Sequence, residues 1–132
     1  MMSRRFRLGG TLLGLLIAQP AFTAQQPSSV AMEQLAKDKG CYLCHTAKSV
    51  KAGPERLLPF APSWVDIAIK YRGQKDAEDR LTRIVLQGSG AGPNGRHWQG
   101  KVSDVGMLPN VPEIDESDAR RLVHWILSFP RG

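Results

Sequence analysis

The sequence predicts an all-α protein, on three observations. Apolar residues recur at i, i+3 and i+4 in its clearest segments, the spacing of one helix face. Those segments open on serine or aspartate and close on glycine or proline, the residues that start and stop helices. No stretch alternates apolar and polar residues for long enough to make a useful strand, and no internal repeat is present. The chain has 132 residues, room for one domain.

Taken in order, the chain opens as a secretory signal. Arg4, Arg5 and Arg7 precede an apolar run over 8–18, then Pro20 and small residues. The expected organisation is a signal peptide over 1–24, cleaved between Ala21 and Ala24, followed by one domain over 25–132. The run is shorter than the roughly 20 residues of an ordinary membrane span, so an uncleaved anchor is the second reading. Ser3-Arg4-Arg5 resembles a twin-arginine signal, but Arg7 stands where such signals prefer an apolar residue. The leader holds three arginines and no acids, so the formal charge of +6 falls to +3 in the mature part. No basic helix with interleaved aromatics and no known motif points to nucleic acid, which excludes that partner class.

The first expected helix is capped by Ser28 or Ser29 and runs to about Lys39, with Val30, Leu35 and Ala36 on its apolar side. Ser63 caps a second, Trp64 to Tyr71, which Gly73 ends. A third runs from Asp76 or Ala77 to Gln87 with Leu81, Ile84 and Val85 inward, and Gly88 closes it. The last starts near Asp115, carries Ala119, Leu122, Val123 and Ile126 at helical spacing, and ends at Phe129-Pro130. Between them, residues 46–59 read as a loop, and Pro59-Phe60-Ala61-Pro62 is extended because each proline discourages helix before itself. Residues 89–104 are the least regular stretch, with Pro93-Asn94-Gly95 as a turn signal.

The chemistry sits in Cys41-Tyr42-Leu43-Cys44-His45. Cys-x-x-Cys-His is the attachment signature of c-type haem. Two intervening residues span about one helical turn, so both thiols can form thioethers with the two vinyl groups of one macrocycle. His45 then falls under the iron, where a neutral imidazole nitrogen can bind it. These are the only two cysteines, so the motif uses every thiol. A zinc site would need about four ligands, and His97 and His124 match no zinc spacing. A thioredoxin-type pair would follow a strand, and none is present. A disulfide across three residues would be cramped and would leave His45 unexplained.

The sixth position of the iron decides the function. A methionine thioether closes the iron and raises its potential, which suits electron transfer, whereas an open position allows gas binding or catalysis. Met107 lies 62 residues after His45 in a proline-bound loop, far enough to wrap to the other face. It is the favoured ligand, with His97 and an open site as rivals. Met32 is too close to the motif and reads as packing, as His124 reads as a partly exposed helix residue.

The glycine before the haem motif, Ala61-Pro62 some 17 residues on, Gly106-Met107-Leu108-Pro109-Asn110, and the helix Leu122-Val123-His124-Trp125-Ile126-Leu127-Ser128 resemble the small bacterial class I cytochromes c. The likeness covers residues 30–129. It implies four or so helices wrapped around one covalent haem c, with Cys41 and Cys44 as thioethers and His45 and Met107 as axial ligands. It further implies that Pro62 offers its carbonyl to the His45 ring, that Asn110 hydrogen-bonds the Met107 sulfur, and that Trp98 reaches a haem propionate, with Arg83 a second candidate for that role. The helix bearing Trp125 is expected to cross the first near Leu35 and Gly40, where a missing side chain permits close approach. Two departures stand out: Leu108 replaces a second proline, and the loop over 99–106 is longer than in the shortest relatives.

The resulting expectation is a periplasmic electron carrier, not an enzyme, with redox-protein donors and acceptors and contact with membranes only through them. It would be a monomer, or a small subunit relaying electrons inside a periplasmic dehydrogenase complex. A haem gas sensor or peroxidase-like enzyme is a further alternative. Lys37, Lys39, Lys48 and Lys51 bracket the motif and are expected to form a basic rim for an acidic partner.

Overall fold

The computed structural model describes residues 28–50, 58–90 and 98–130. The leader over 1–24, Lys51 and His97 lie outside the described residues. Among the described residues there are four α-helices: α1 (Ser29–Asp38), α2 (Trp64–Tyr71), α3 (Ala77–Gln87) and α4 (Glu116–Leu127). A short 3-10 turn (Cys41–Leu43) follows α1, and no strand occurs among the described residues. The fold class is the all-α one expected.

Helix starts follow local chemistry closely. Ser28 accepts from the Ala31 N–H, Ser63 from Asp66 N–H and Asp115 from Asp118 N–H, each satisfying a donor that has no partner inside its helix. Asp115→Ala should therefore lower stability by about 1 kcal/mol, read as a shift in the urea midpoint without a change in slope.

α4 is the central helix and packs against α3, α2 and α1. Ala119, Leu122 and Val123 are buried along it, together with Ile114 just before it. Its carbonyl end is held by Arg72, at the end of α2, which donates to Leu127 O (3.3 Å) and to Phe129 O. At its start, the Lys39 ammonium at the end of α1 donates to Glu113 O. Arg72 thus satisfies a last-turn carbonyl of α4 that helical hydrogen bonds leave open, while Lys39 ties the segment before α4 to the end of α1.

Trp64 forms the hub of the core at 1% exposure. Its ring meets Tyr42, Trp125 and Phe129 edge-on at 4.5, 5.0 and 6.0 Å between centroids. Tyr42 lies between the two cysteines, so the motif turn is clamped to α2 and α4 through one buried indole.

On α3, Leu81 and Val85 pack half-buried against the core as expected and Ile84 is half-buried beside them, while Ala77 and Thr82 are its fully buried residues. Thr82 tolerates burial because its hydroxyl donates to Glu78 O at 2.7 Å, leaving a methyl to pack. Gly40 is not where α4 comes close: a Cβ there would meet only Leu43, at an ordinary 3.5 Å. Gly40 is required by its φ of +70°, which turns the chain out of α1 into the motif. The Trp125 indole instead donates to Ser29 Oγ (3.1 Å), at the start of α1.

Candidate functional site

The motif turn is built by its own backbone. Leu43 N–H donates to Gly40 O at 3.0 Å, and His45 N–H to Cys41 O at 3.0 Å. Cys41 is half-buried and Cys44 exposed, and neither is in a disulfide. Burial pushes the Cys41 thiol up, its backbone hydrogen bond opposing.

His45 Nδ1 lies 2.8 Å from Pro62 O. A carbonyl can only accept, so Nδ1 carries the proton and Nε2 is left with its lone pair. Burial lowers the ring's pKa, with the Pro62 bond opposing, and so favours the neutral imidazole. The ring is thus oriented and in the tautomer a metal needs on Nε2.

Hydrogen bonds link this turn to the distant methionine loop, segment by segment. Trp64 and Val65 N–H donate to Thr46 and Ala47 carbonyls at 2.9 and 3.4 Å, joining the motif to α2. Ser49 and Ser63 hydroxyls both donate to Asp66, at 2.7 and 2.6 Å. Ser103 then joins the proline segment to the 98–110 loop: its N–H donates to Pro59 O (2.9 Å) and its hydroxyl to Phe60 O (3.1 Å). The loop closes on the end of α3. Met107 N–H donates to Ser89 Oγ at 2.8 Å, and Ser89 N–H donates back to Met107 O at 2.9 Å.

Asn110 plays a part not expected of it. Its amide group donates to Val85 O (2.9 Å) and Leu108 O (3.1 Å), and its backbone N–H donates to Leu86 O (3.2 Å). Both amide hydrogens go to carbonyls, not to the Met107 sulfur. The reason is accounting at a helix end: Val85 and Leu86 lie in the last turn of α3, where carbonyls have no partner within the helix. Asn110 supplies two donors to them and so anchors the methionine loop.

Gly88 makes this closure possible. It has φ +78° and ψ 167°, a region open in practice to glycine alone. A Cβ there would stand 2.5 Å from Met107 O and 2.9 Å from Pro109 N, both backbone atoms. Gly88→Ala should destabilise the holoprotein by at least the roughly 1–3 kcal/mol of the backbone strain, seen as a lower denaturation midpoint.

The remaining candidates are placed as follows. Trp98 lies under the Lys70 ammonium (4.3 Å to the ring centroid) and edge-on to Tyr71 at 6.3 Å. Arg83 is exposed on α3, beside Asp79. Met32 is buried in α1. His124 is exposed on α4, 3.2 Å from a Glu78 oxygen. The lysine rim is partly spent within the fold: Lys37 pairs with Glu33 at 2.8 Å and Lys39 serves Glu113, while Lys48 is exposed. Sequence reasoning missed Ser89, Ser103 and the structural use of Asn110. A Gly-Ser pair after a helix reads as turn chemistry, and nothing local points to a partner 18 residues on.

The family model for cytochrome c matches residues 30–130, nearly all of the helical domain. The chain belongs to the cytochrome c family. Cytochrome c-552 of Hydrogenobacter thermophilus is 39% identical over 101 residues, which cover 75% of this chain and 82% of that protein. Cytochrome c-551 of Allochromatium vinosum is 37% identical over 111 residues, 83% of this chain and 99% of that protein. In fold, the chain is similar to the crystal structure of Nitrosomonas europaea cytochrome c552. The TM-score is 0.53 at 30% identity, covering 73% of this chain and 96% of that one.

This cytochrome c is a small class I monohaem protein, and its relatives are electron-transfer cytochromes. Its cofactor is a covalently bound c-type haem with its iron. The residues present fit that group. Two disulfide-free thiols flank a turn, and next to them stands a neutral imidazole whose Nδ1 is already committed to a carbonyl. No helix among the described residues is long and apolar enough to cross a membrane.

Proposed function

We propose that this protein is a periplasmic single-haem electron carrier, not an enzyme, with Cys41 and Cys44 as thioether attachments and His45 and Met107 as axial iron ligands. The observation that carries the reading is the His45–Pro62 bond, which presets the imidazole for iron on Nε2. When bound, the haem supplies a one-electron couple between ferrous and ferric iron. Met107 offers a neutral, soft thioether, a donor that favours the ferrous form and raises the potential. Ser89, just past α3, holds Met107 itself and Asn110 fastens the residues after it to the end of α3, so the ligand needs little rearrangement when the iron changes charge. Trp98, whose ring lies under the Lys70 ammonium, is the residue that likeness to the family assigns to a haem propionate.

Residues 1–24 serve as a cleaved export signal, and the oxidising compartment they lead to is where haem is joined to reduced thiols. Donor and acceptor are redox proteins.

The test is the near-infrared spectrum of the oxidised holoprotein matured in a periplasm. A weak sulfur-to-iron band should be present, and Met107→Ala should abolish it while the haem stays covalently attached. A parent protein without the band, or one whose ferrous form binds carbon monoxide in the absence of denaturant, would instead have His97 ligation or an open sixth position.

A further inference from the structure

We propose that Ser89 is a positioning residue for the methionine ligand, its hydroxyl setting how readily the Met107 thioether leaves the iron. This rests on the reading of Met107 as the sixth ligand.

The geometry is reciprocal. Ser89 Oγ accepts from Met107 N–H at 2.8 Å, and Ser89 N–H donates to Met107 O at 2.9 Å. Both polar groups of the Met107 backbone are therefore held by one residue. That residue follows directly on α3, where Gly88, in its glycine-only conformation, turns the chain against the loop. Three residues on, Asn110 fixes the other side of the loop to Val85 and Leu86 carbonyls of the same helix end.

A methionine side chain has three rotatable bonds and little intrinsic preference for one shape. How well its sulfur competes for the iron then depends on how firmly its backbone is presented. Asn110 and the Ser89 N–H hold the loop in place. The Ser89 hydroxyl adds a bond of a different kind, because it acts on the N–H of the ligand residue itself. Removing it leaves that half-buried N–H without its partner and frees the Met107 peptide to tilt. The ligand would stay bound in the absence of a competitor but yield sooner to one.

The experiment is a titration of the ferric holoprotein with imidazole, a small neutral ligand that must displace the thioether, followed at the sulfur-to-iron band. Ser89→Ala should retain the band without imidazole and bind imidazole roughly fivefold more tightly than the parent, the size expected for one lost hydrogen bond. Ser89→Thr, which keeps a hydroxyl, should match the parent, and Ser89→Val, of the same shape without one, should match Ser89→Ala. The Thr and Val pair decides the matter if the alanine variant fails to mature. Equal imidazole affinity in the Thr and Val variants would overturn the proposal even if Ser89→Ala melts at a lower temperature, because a purely structural serine moves stability and not ligand exchange. Met107→Ala, run alongside, separates the two levels. If it leaves the band intact, Met107 is not the ligand and both readings fall. If it abolishes the band while the position-89 variants all match the parent, only the role of Ser89 falls.

Discussion

Changing Cys41 and Cys44 together to alanine is expected to yield a chain with no covalent haem and no stable fold. The first half follows from inventory: these are the only cysteines, so no other thiol can take over the attachment. The second half follows from size. The matched domain, residues 30–130, is small, and its larger buried apolar side chains among the described residues are Met32, Trp64, Ile67, Tyr71, Ile114, Leu122 and Val123. Chains of this length bury a modest share of their surface and commonly need a covalent staple or cofactor to hold together. The expected result is loss of haem absorbance in the purified protein, together with loss of most helical signal in far-UV circular dichroism. Either single variant should keep one thioether and accumulate at reduced yield. A double variant that retained native helicity and melted cooperatively would show that the polypeptide core suffices by itself.

Trp64→Ala is expected to give the largest stability loss of any single change outside the haem attachment. The indole is 1% exposed and joins the motif turn, α2, α4 and the chain end through three edge-on aromatic contacts. Truncating a buried aromatic leaves a cavity and costs about 3–5 kcal/mol. That is a large part of the roughly 5–15 kcal/mol that holds a typical domain. For a chain of this size it corresponds to a fall in Tm of roughly 15–30 °C, measurable on the holoprotein by circular dichroism and by haem absorbance in parallel. Because Tyr42 rests on this ring at 4.5 Å, the two signals should fall together rather than in sequence. Trp64→Phe should recover part of the loss by refilling part of the cavity.

The helices and the chemistry of the attachment motif were legible in the sequence because both are written in short-range terms. A serine or aspartate three residues before a free N–H, an apolar residue every third or fourth position and a glycine at a positive φ act within one or two turns. The caps Ser28, Ser63 and Asp115 and the glycine after each of α2 and α3 stand where local rules place them. The Cys-x-x-Cys-His spacing is just as local, and the contact of His45 with Pro62 was foreseen only through likeness to a family.

What the tertiary structure alone decided are partnerships made across long stretches of chain. Asn110 bonds carbonyls 25 residues away rather than a sulfur three residues away, because α3 ends beside it with acceptors to satisfy. Lys39 reads as a free surface charge, but its ammonium meets Glu113 O, 74 residues on, once α1 and α4 have packed. Ser89 and Met107 find each other because Gly88 admits the loop to within a distance that any side chain would block. Such contacts depend on where whole helices come to rest, which is set by the summed burial of many apolar groups and by no one residue's neighbours in sequence.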